Sequence, residues 1–165
     1  MEVALLGPGP SLVDYCELNY DAVIGVNRAA CKVECDYLVA MDHPFLKANP
    51  PRGNPTLITS ANTRDSLTRR GIEYDTILFD DYLPGDVKNP GFSMLNACLF
   101  AVYALKAKQV NLWGVDHKGD ADWDGYKWKT VVRNPKRWMA EAEAIKLIFE
   151  SHGVGLKYYG YSEYM

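Results

Sequence analysis

Acidic residues stand where short apolar runs stop, in the pairs Asp42-His43, Asp80-Asp81 and Asp116-His117. Oxygen ligands of this kind suit a hydrated Mg²⁺ that bridges phosphates, with Asp42 and Asp116 as the first pair to consider. Strand-end aspartates also cap turns, and that alternative stays open. Zinc is disfavoured, because His43 and His117 lack a third ligand. A second constellation, Gly7-Pro8-Gly9-Pro10-Ser11, follows the first apolar run. Glycines let a backbone approach a ligand, prolines pre-set a turn, and the amides that open a following helix attract an anion. The same residues would also serve a tight packing turn. Asn27 ends another run and offers an amide to a ribose hydroxyl or base edge, or caps a loop. Arg133, Lys136 and Arg137 either close onto phosphates or form a solvated basic face.

Chemistry at these positions requires elements that bring them to one edge. The runs Val3–Leu6, Ala22–Val26, Tyr37–Met41, Thr56–Thr59, Thr76–Phe79 and Val110–Val115 are apolar almost throughout, as strands covered on both faces are. A seventh strand is expected at Gly155–Tyr159. Residues 92–107 are apolar nearly all round and predict a buried helix with Ser93 near its N-cap. Residues 135–152 predict the clearest helix. Asn134 caps it, Pro135 suits its first turn, Trp138, Ala142, Ile145 and Phe149 form one stripe, and Gly153 stops it. This alternation predicts a three-layer, Rossmann-like α/β fold with a mostly parallel, doubly wound sheet and right-handed crossovers. In such sheets ligands bind beyond the carboxyl ends of the strands, where the named residues would converge. Residues 117–134 form a long irregular segment containing Trp123, Tyr126 and Trp128, and read as a lid or binding loop. The tyrosine-rich end, KYYGYSEYM, is either a covered strand with a tail or the wall of a pocket or dimer contact.

The chain has 165 residues, enough for one domain spanning 1–165. Its 18 basic and 21 acidic residues give a formal charge of −3, which disfavours an extensive nucleic-acid interface. Four cysteines without metal or disulfide spacing suit a reducing compartment, and no apolar run is long enough to span a bilayer. These features predict a cytosolic protein with a small-molecule partner and a homo-oligomer as the prior for assembly.

Taken in order, GPGPSL, VIGVN, YLVAMD and GFSMLNACLFAVYALKAKQVNLWGVD resemble the bacterial sialyltransferases of glycosyltransferase family 42. They also resemble the related superfamily that holds 6-hydroxymethylpterin diphosphokinases and flagellin-modifying transferases. The likeness covers residues 1–118, and the chain's brevity is similar to that of short phage-type members, which would place it in a host cytoplasm. The resemblance implies that Gly7, Pro8, Gly9, Pro10 and Ser11 cradle a nucleotide phosphate. It also implies that Asn27, Asp42 and Ser93 contact the nucleoside of a CMP-type or other nucleotide-activated donor. The family's histidine base stands where this chain reads Val131-Val132-Arg133-Asn134, so Asp116 or His117 is expected to substitute for it, and Arg133 is the third residue expected in the catalytic set. An Asp116→Asn variant is then expected to fold normally but not turn over. The alternatives are a Mg²⁺-dependent diphosphokinase or other phosphotransferase with Asp42 and Asp116 as ligands, and a nucleotide-binding or ligand-sequestering module without catalysis.

Overall fold

The computed structural model describes residues 1–118, 121–127 and 134–165, with His43 described by its backbone alone. Seven strands form one sheet: β1 Glu2–Leu6, β2 Ala22–Val26, β3 Tyr37–Val39, β4 Thr56–Thr59, β5 Thr76–Leu78, β6 Gln109–Trp113 and β7 Gly155–Tyr159. Their order is β5-β4-β3-β2-β1-β6-β7, and every neighbouring pair is parallel. The register places Leu5 of β1 between Ile24 of β2 and Leu112 of β6. The expected three-layer, Rossmann-like fold is thus observed.

Residues of β1, β2, β3, β4 and β6 are shared between two separate cores, which is why those strands read as continuous apolar runs. Val3, Leu5, Ile24, Val110 and Leu112 face one layer. That layer is closed by α4, Ser93–Tyr103, through Ala97, Cys98 and Ala101, and by α5, Pro135–Ser151, through Ile145 and Phe149. Ala4, Leu6, Leu38 and Leu57 face the other layer, under α1 Ala29–Lys32, α2 His43–Ala48 and α3 Ala61–Thr68. No helix among the described residues is long and apolar enough to cross a membrane.

Helix ends follow local chemistry. The Asn134 side chain accepts hydrogen bonds from the N–H groups of Lys136 at 3.1 Å and Arg137 at 3.3 Å, with Pro135 at the first helical position. At α4 the N-cap is Phe92, without a side-chain bond, and Ser93 is the first helical residue rather than the cap. The Gly-rich turn leads into a short 3-10 turn, Pro10–Asp14, rather than a full helix. Short helices α1 to α3 fill stretches in which no helical period is evident, because tertiary packing on the sheet supplies what propensity does not.

Chain order reverses between β1 and β6. The first five strands step outward from β1 in one direction, and the chain then returns to lay β6 on β1's other side. This is the switch point at which open α/β sheets hold ligands.

Candidate functional site

A cavity of about 540 Å³ opens at that switch point. Its floor comes from the turns that follow β1 and β6, with Pro8, Gly9 and Pro10 against Gly114, Val115, Asp116, His117 and Lys118. Asn27 from the end of β2, Gly91 to Met94 around the start of α4, and Arg137, Trp138 and Glu141 from α5 complete the walls. Of the residues expected at the site, Pro8, Gly9, Pro10, Asn27, Ser93, Asp116 and His117 therefore line one cavity.

The Gly-rich turn is bare for a reason other than ligand approach. A Cβ on Gly7 would come within 2.5 Å of the Gly114 carbonyl oxygen, and one on Gly9 within 2.5 Å of Asp116 Oδ2. The β6 turn occupies the space that side chains would need. Its own Gly114 has φ +66°, and a Cβ there would lie 2.1 Å from the Gly7 oxygen. The two turns interlock through backbone bonds, Gly7 N–H to Trp113 O at 2.7 Å and Gly9 N–H to Gly114 O at 2.8 Å. Ser11 N–H donates to Asp116 Oδ2 at 2.7 Å and Leu12 N–H to Gly9 O at 3.0 Å. Pro8 and Pro10 have no N–H to give. The amides expected to face an anion are thus all donated within the protein, and Gly7 and the buried Ser11 support the cavity from beneath without lining it.

Asp116 is the joint of this assembly. Besides the Ser11 amide, its carboxylate accepts the Ser11 hydroxyl at 2.5 Å and the Tyr161 N–H at 2.9 Å, and the residue is only 4% exposed. The tentative Mg²⁺ pair is not assembled around it. Asp42 is exposed beside α2 and outside the cavity lining, while the neighbouring Met41 reaches in. Asp80 and Asp81 follow β5, four strands from β1 and so roughly 19 Å away at about 4.8 Å per strand. Asp81 accepts the Leu78 N–H at 2.8 Å, a turn cap. Among the described residues, no three His, Cys, Asp or Glu side chains gather as a metal cluster.

His117 holds a left-handed backbone, φ 49°, as does Asn27 with φ 51°. Such conformations cost free energy and persist where the surroundings fix them. The His117 ring is engaged on both sides, Nδ1 with Ser162 Oγ at 2.9 Å and Nε2 with Glu141 Oε1 at 3.1 Å. Positive charge enters from Lys118, whose Nζ lies 4.9 Å from the centre of the Tyr161 ring, and from Arg137, whose guanidinium lies 4.8 Å from that of Phe92. Neither has a carboxylate within ion-pair reach among the described residues. With the start of α4, they give the cavity an end that suits an anion. Lys118 and Glu141 were not evident from sequence. The signal for Glu141 was its position one turn after Arg137, on the helical row next to the buried stripe.

Residues 121–127 of the expected lid fold back against the site. Arg28 holds them through Asp122 at 2.9 Å and Asp124 at 2.6 Å, and its guanidinium lies 4.2 Å from the Tyr126 ring centre. Trp123 N–H donates to Pro8 O at 2.9 Å, tying the same segment to the Gly-rich turn. Arg133 and the rest of the expected lid lie outside the described residues. Hydrogen bonds from Arg28 hold the Asp124 carboxyl down at about 2. A carboxyl lowered in the folded state contributes stability above its unfolded pKa, near 3.8, and loses it as pH falls through about 2. Between pH 4 and 2 the wild-type chain is expected to lose more of its melting temperature than an Asp124→Asn variant, and parallel curves in a thermal scan against pH would exclude the latch.

No protein-family model and no curated protein matches the sequence. Solved structures do match the fold. The sialyltransferase CST-II in complex with a trisaccharide acceptor and CMP aligns with a TM-score of 0.58 at 17% identity, over 96% of this chain and 81% of that one. CstII from Campylobacter jejuni in complex with the substrate analogue CMP-3FNeuAc aligns at 0.57 and 17% identity, over 96% and 80%. The chain therefore has the fold of the sialyltransferases that its motifs resemble, at 17% sequence identity.

Proposed function

We propose that residues 1–165 form one nucleotide-binding unit that transfers a glycosyl group from a nucleotide-activated donor held in the switch-point cavity. The observation that carries this reading is the position of the cavity in a fold shared with proteins crystallised with CMP and CMP-3FNeuAc. Asn27, whose side-chain amide makes no hydrogen bond among the described residues, and Ser93 would meet the nucleoside. Pro8, Gly9 and Pro10 would form the floor, with Gly7 and Ser11 beneath it. Charge on the leaving phosphate would be met by Lys118, Arg137 and the first amides of α4. Proton transfer falls to the pair after β6 and on α5, His117 and Glu141; Asp116 would hold the turn beneath them, and Arg133 is expected to take part through its charge, on phosphate. The geometry around Asp42 and Asp116 gives no support to a Mg²⁺-dependent step. The four unpaired cysteines fit a reducing, cytosolic setting.

The test is a thermal-shift panel of nucleoside monophosphates, with Mg²⁺ or with EDTA. CMP at about a hundred times its Kd would stabilise the fold by about 2.7 kcal/mol, a rise of roughly 5–10 °C for a chain of this size. The shift should be the same in EDTA and fall by at least half in Asn27→Leu. A panel in which no nucleotide moves the transition would overturn the reading.

A further inference from the structure

We infer that Glu141, rather than His117, takes the proton of the hydroxyl that attacks the donor; the assignment rests on the transferase reading of the cavity. A carboxylate oxygen only accepts, so the 3.1 Å contact between Glu141 Oε1 and His117 Nε2 requires the hydrogen to sit on Nε2. In the neutral ring the one lone pair is then on Nδ1, where it meets Ser162 Oγ at 2.9 Å. The Ser162 hydroxyl gives its proton to that lone pair, while its oxygen accepts the Tyr164 N–H at 3.2 Å. The His117 side chain is 4% exposed, so no basic nitrogen is presented to the cavity.

Glu141 is the opposite case. It lines the cavity, its side chain is 24% exposed, and its second oxygen, Oε2, has no hydrogen-bond partner among the described residues. The His117 contact fixes the carboxylate through Oε1, so Oε2 is left to an incoming hydroxyl. One helical turn earlier, Arg137 lines the same cavity from the same face of α5. One helix thereby sets an acceptor of protons beside a neutraliser of phosphate charge. In the step itself the acceptor oxygen forms a bond to the anomeric carbon, and its proton passes to Glu141 Oε2. The bond from that carbon to the phosphate oxygen breaks with its electron pair remaining on the phosphate. His117 is a positioning residue, and Ser162 holds its tautomer.

The experiment uses the full chain as wild type, Glu141→Gln, Glu141→Ala and His117→Gln, with CMP-sialic acid and a panel of other nucleotide sugars as donors and nucleotide release as the readout. Both Glu141 variants should keep the wild-type thermal shift with CMP, which also certifies their folding. Turnover should fall by about 100-fold or more in each, the range expected for loss of a general base. Azide carries no proton to remove, so it should restore nucleotide release in Glu141→Ala with formation of the glycosyl azide, and leave the wild type unaccelerated. His117→Gln should fall less far and gain nothing from azide. Turnover of Glu141→Gln within threefold of wild type, or no selective azide rescue of Glu141→Ala while its CMP shift persists, overturns the assignment alone. A wild-type chain that shows neither a CMP shift nor release from any donor overturns the transferase reading, and the assignment falls with it.

Discussion

Gly114→Ala is expected to lower the melting temperature by roughly 10 °C, since among the described glycines it is the one where an added methyl group meets the closest contact. The new Cβ would lie 2.1 Å from the Gly7 carbonyl oxygen and 2.9 Å from its carbonyl carbon, which are backbone atoms with no rotamer to escape into. The φ of +66° adds its own penalty of about 1–2 kcal/mol for a side chain in the left-handed region. If the β1 turn gives way, the bonds from Gly7 N–H and Gly9 N–H lengthen together, each worth about 0.5–1.5 kcal/mol. The sum is about 2–5 kcal/mol, which for a chain of this size corresponds to roughly 4–20 °C, centred near 10 °C. Gly125→Ala is the control, since Gly125 has φ +80° but nothing within 4 Å of a built Cβ. Calorimetry of the two variants separates backbone strain from collision. Equal losses would mean that the turns do not interlock as described.

Asp116→Asn is expected to destabilise the fold by about 2–4 kcal/mol, because hydrogen bonds to a charged group contribute about 1.5–3 kcal/mol and an unsatisfied buried partner costs a similar amount. The motif-based expectation was that this variant would fold normally. The structure argues otherwise, since every group facing the carboxylate is a donor: the Ser11 amide, the Ser11 hydroxyl and the Tyr161 amide. An amide in place of the carboxylate turns an N–H toward one of them. Ser11→Ala, which removes only the hydroxyl, should cost about 1 kcal/mol. In the double variant the two losses should be less than additive, since the residues share a bond. Additive losses in denaturant titrations, or a fully stable Asp116→Asn, would return Asp116 to the role of a free acid–base group.

The sheet was legible because six segments carry near-continuous apolar side chains, as strands covered on both faces do, with β7, whose residues alternate between exposed and half-buried, as the exception. Helix α5 was legible from Asn134, Pro135 and Gly153, whose chemistry is local. Helices α1 to α3 were not, since sequences such as ANTRDSLT form a helix only where the sheet receives their one or two buried residues, here Thr63 and Leu67. The order of strands was likewise not readable, and it decides which aspartates share a neighbourhood. It removes Asp80 and Asp81 from the site and leaves Asp116 in it. The Gly-rich turn shows a different kind of gap. Glycine announces that something stands where a Cβ would be, and a sequence does not say whether that neighbour is a ligand or the chain itself. Glu141 was missed because the apolar stripe of α5 drew attention to what the helix buries, and the adjacent row is the one that faces the cavity.

The placement of β1 between β2 and β6 bears on how the molecule is made. Its second partner begins at Gln109, and the bond from Ser11 to Asp116 joins residues 105 positions apart. At a synthesis rate of about 5–20 residues per second, the first strand waits roughly 5–20 s for that side of the sheet to exist. Until then Ala4 and Leu6 have β2 but not β6, and the edge of β1 is open to other strands. Contacts of such separation also slow folding in isolation. The turn that floors the cavity is therefore made well before the partner that secures it, and the site is complete only when β6 and the later α5, which supplies Arg137 and Glu141, have joined it.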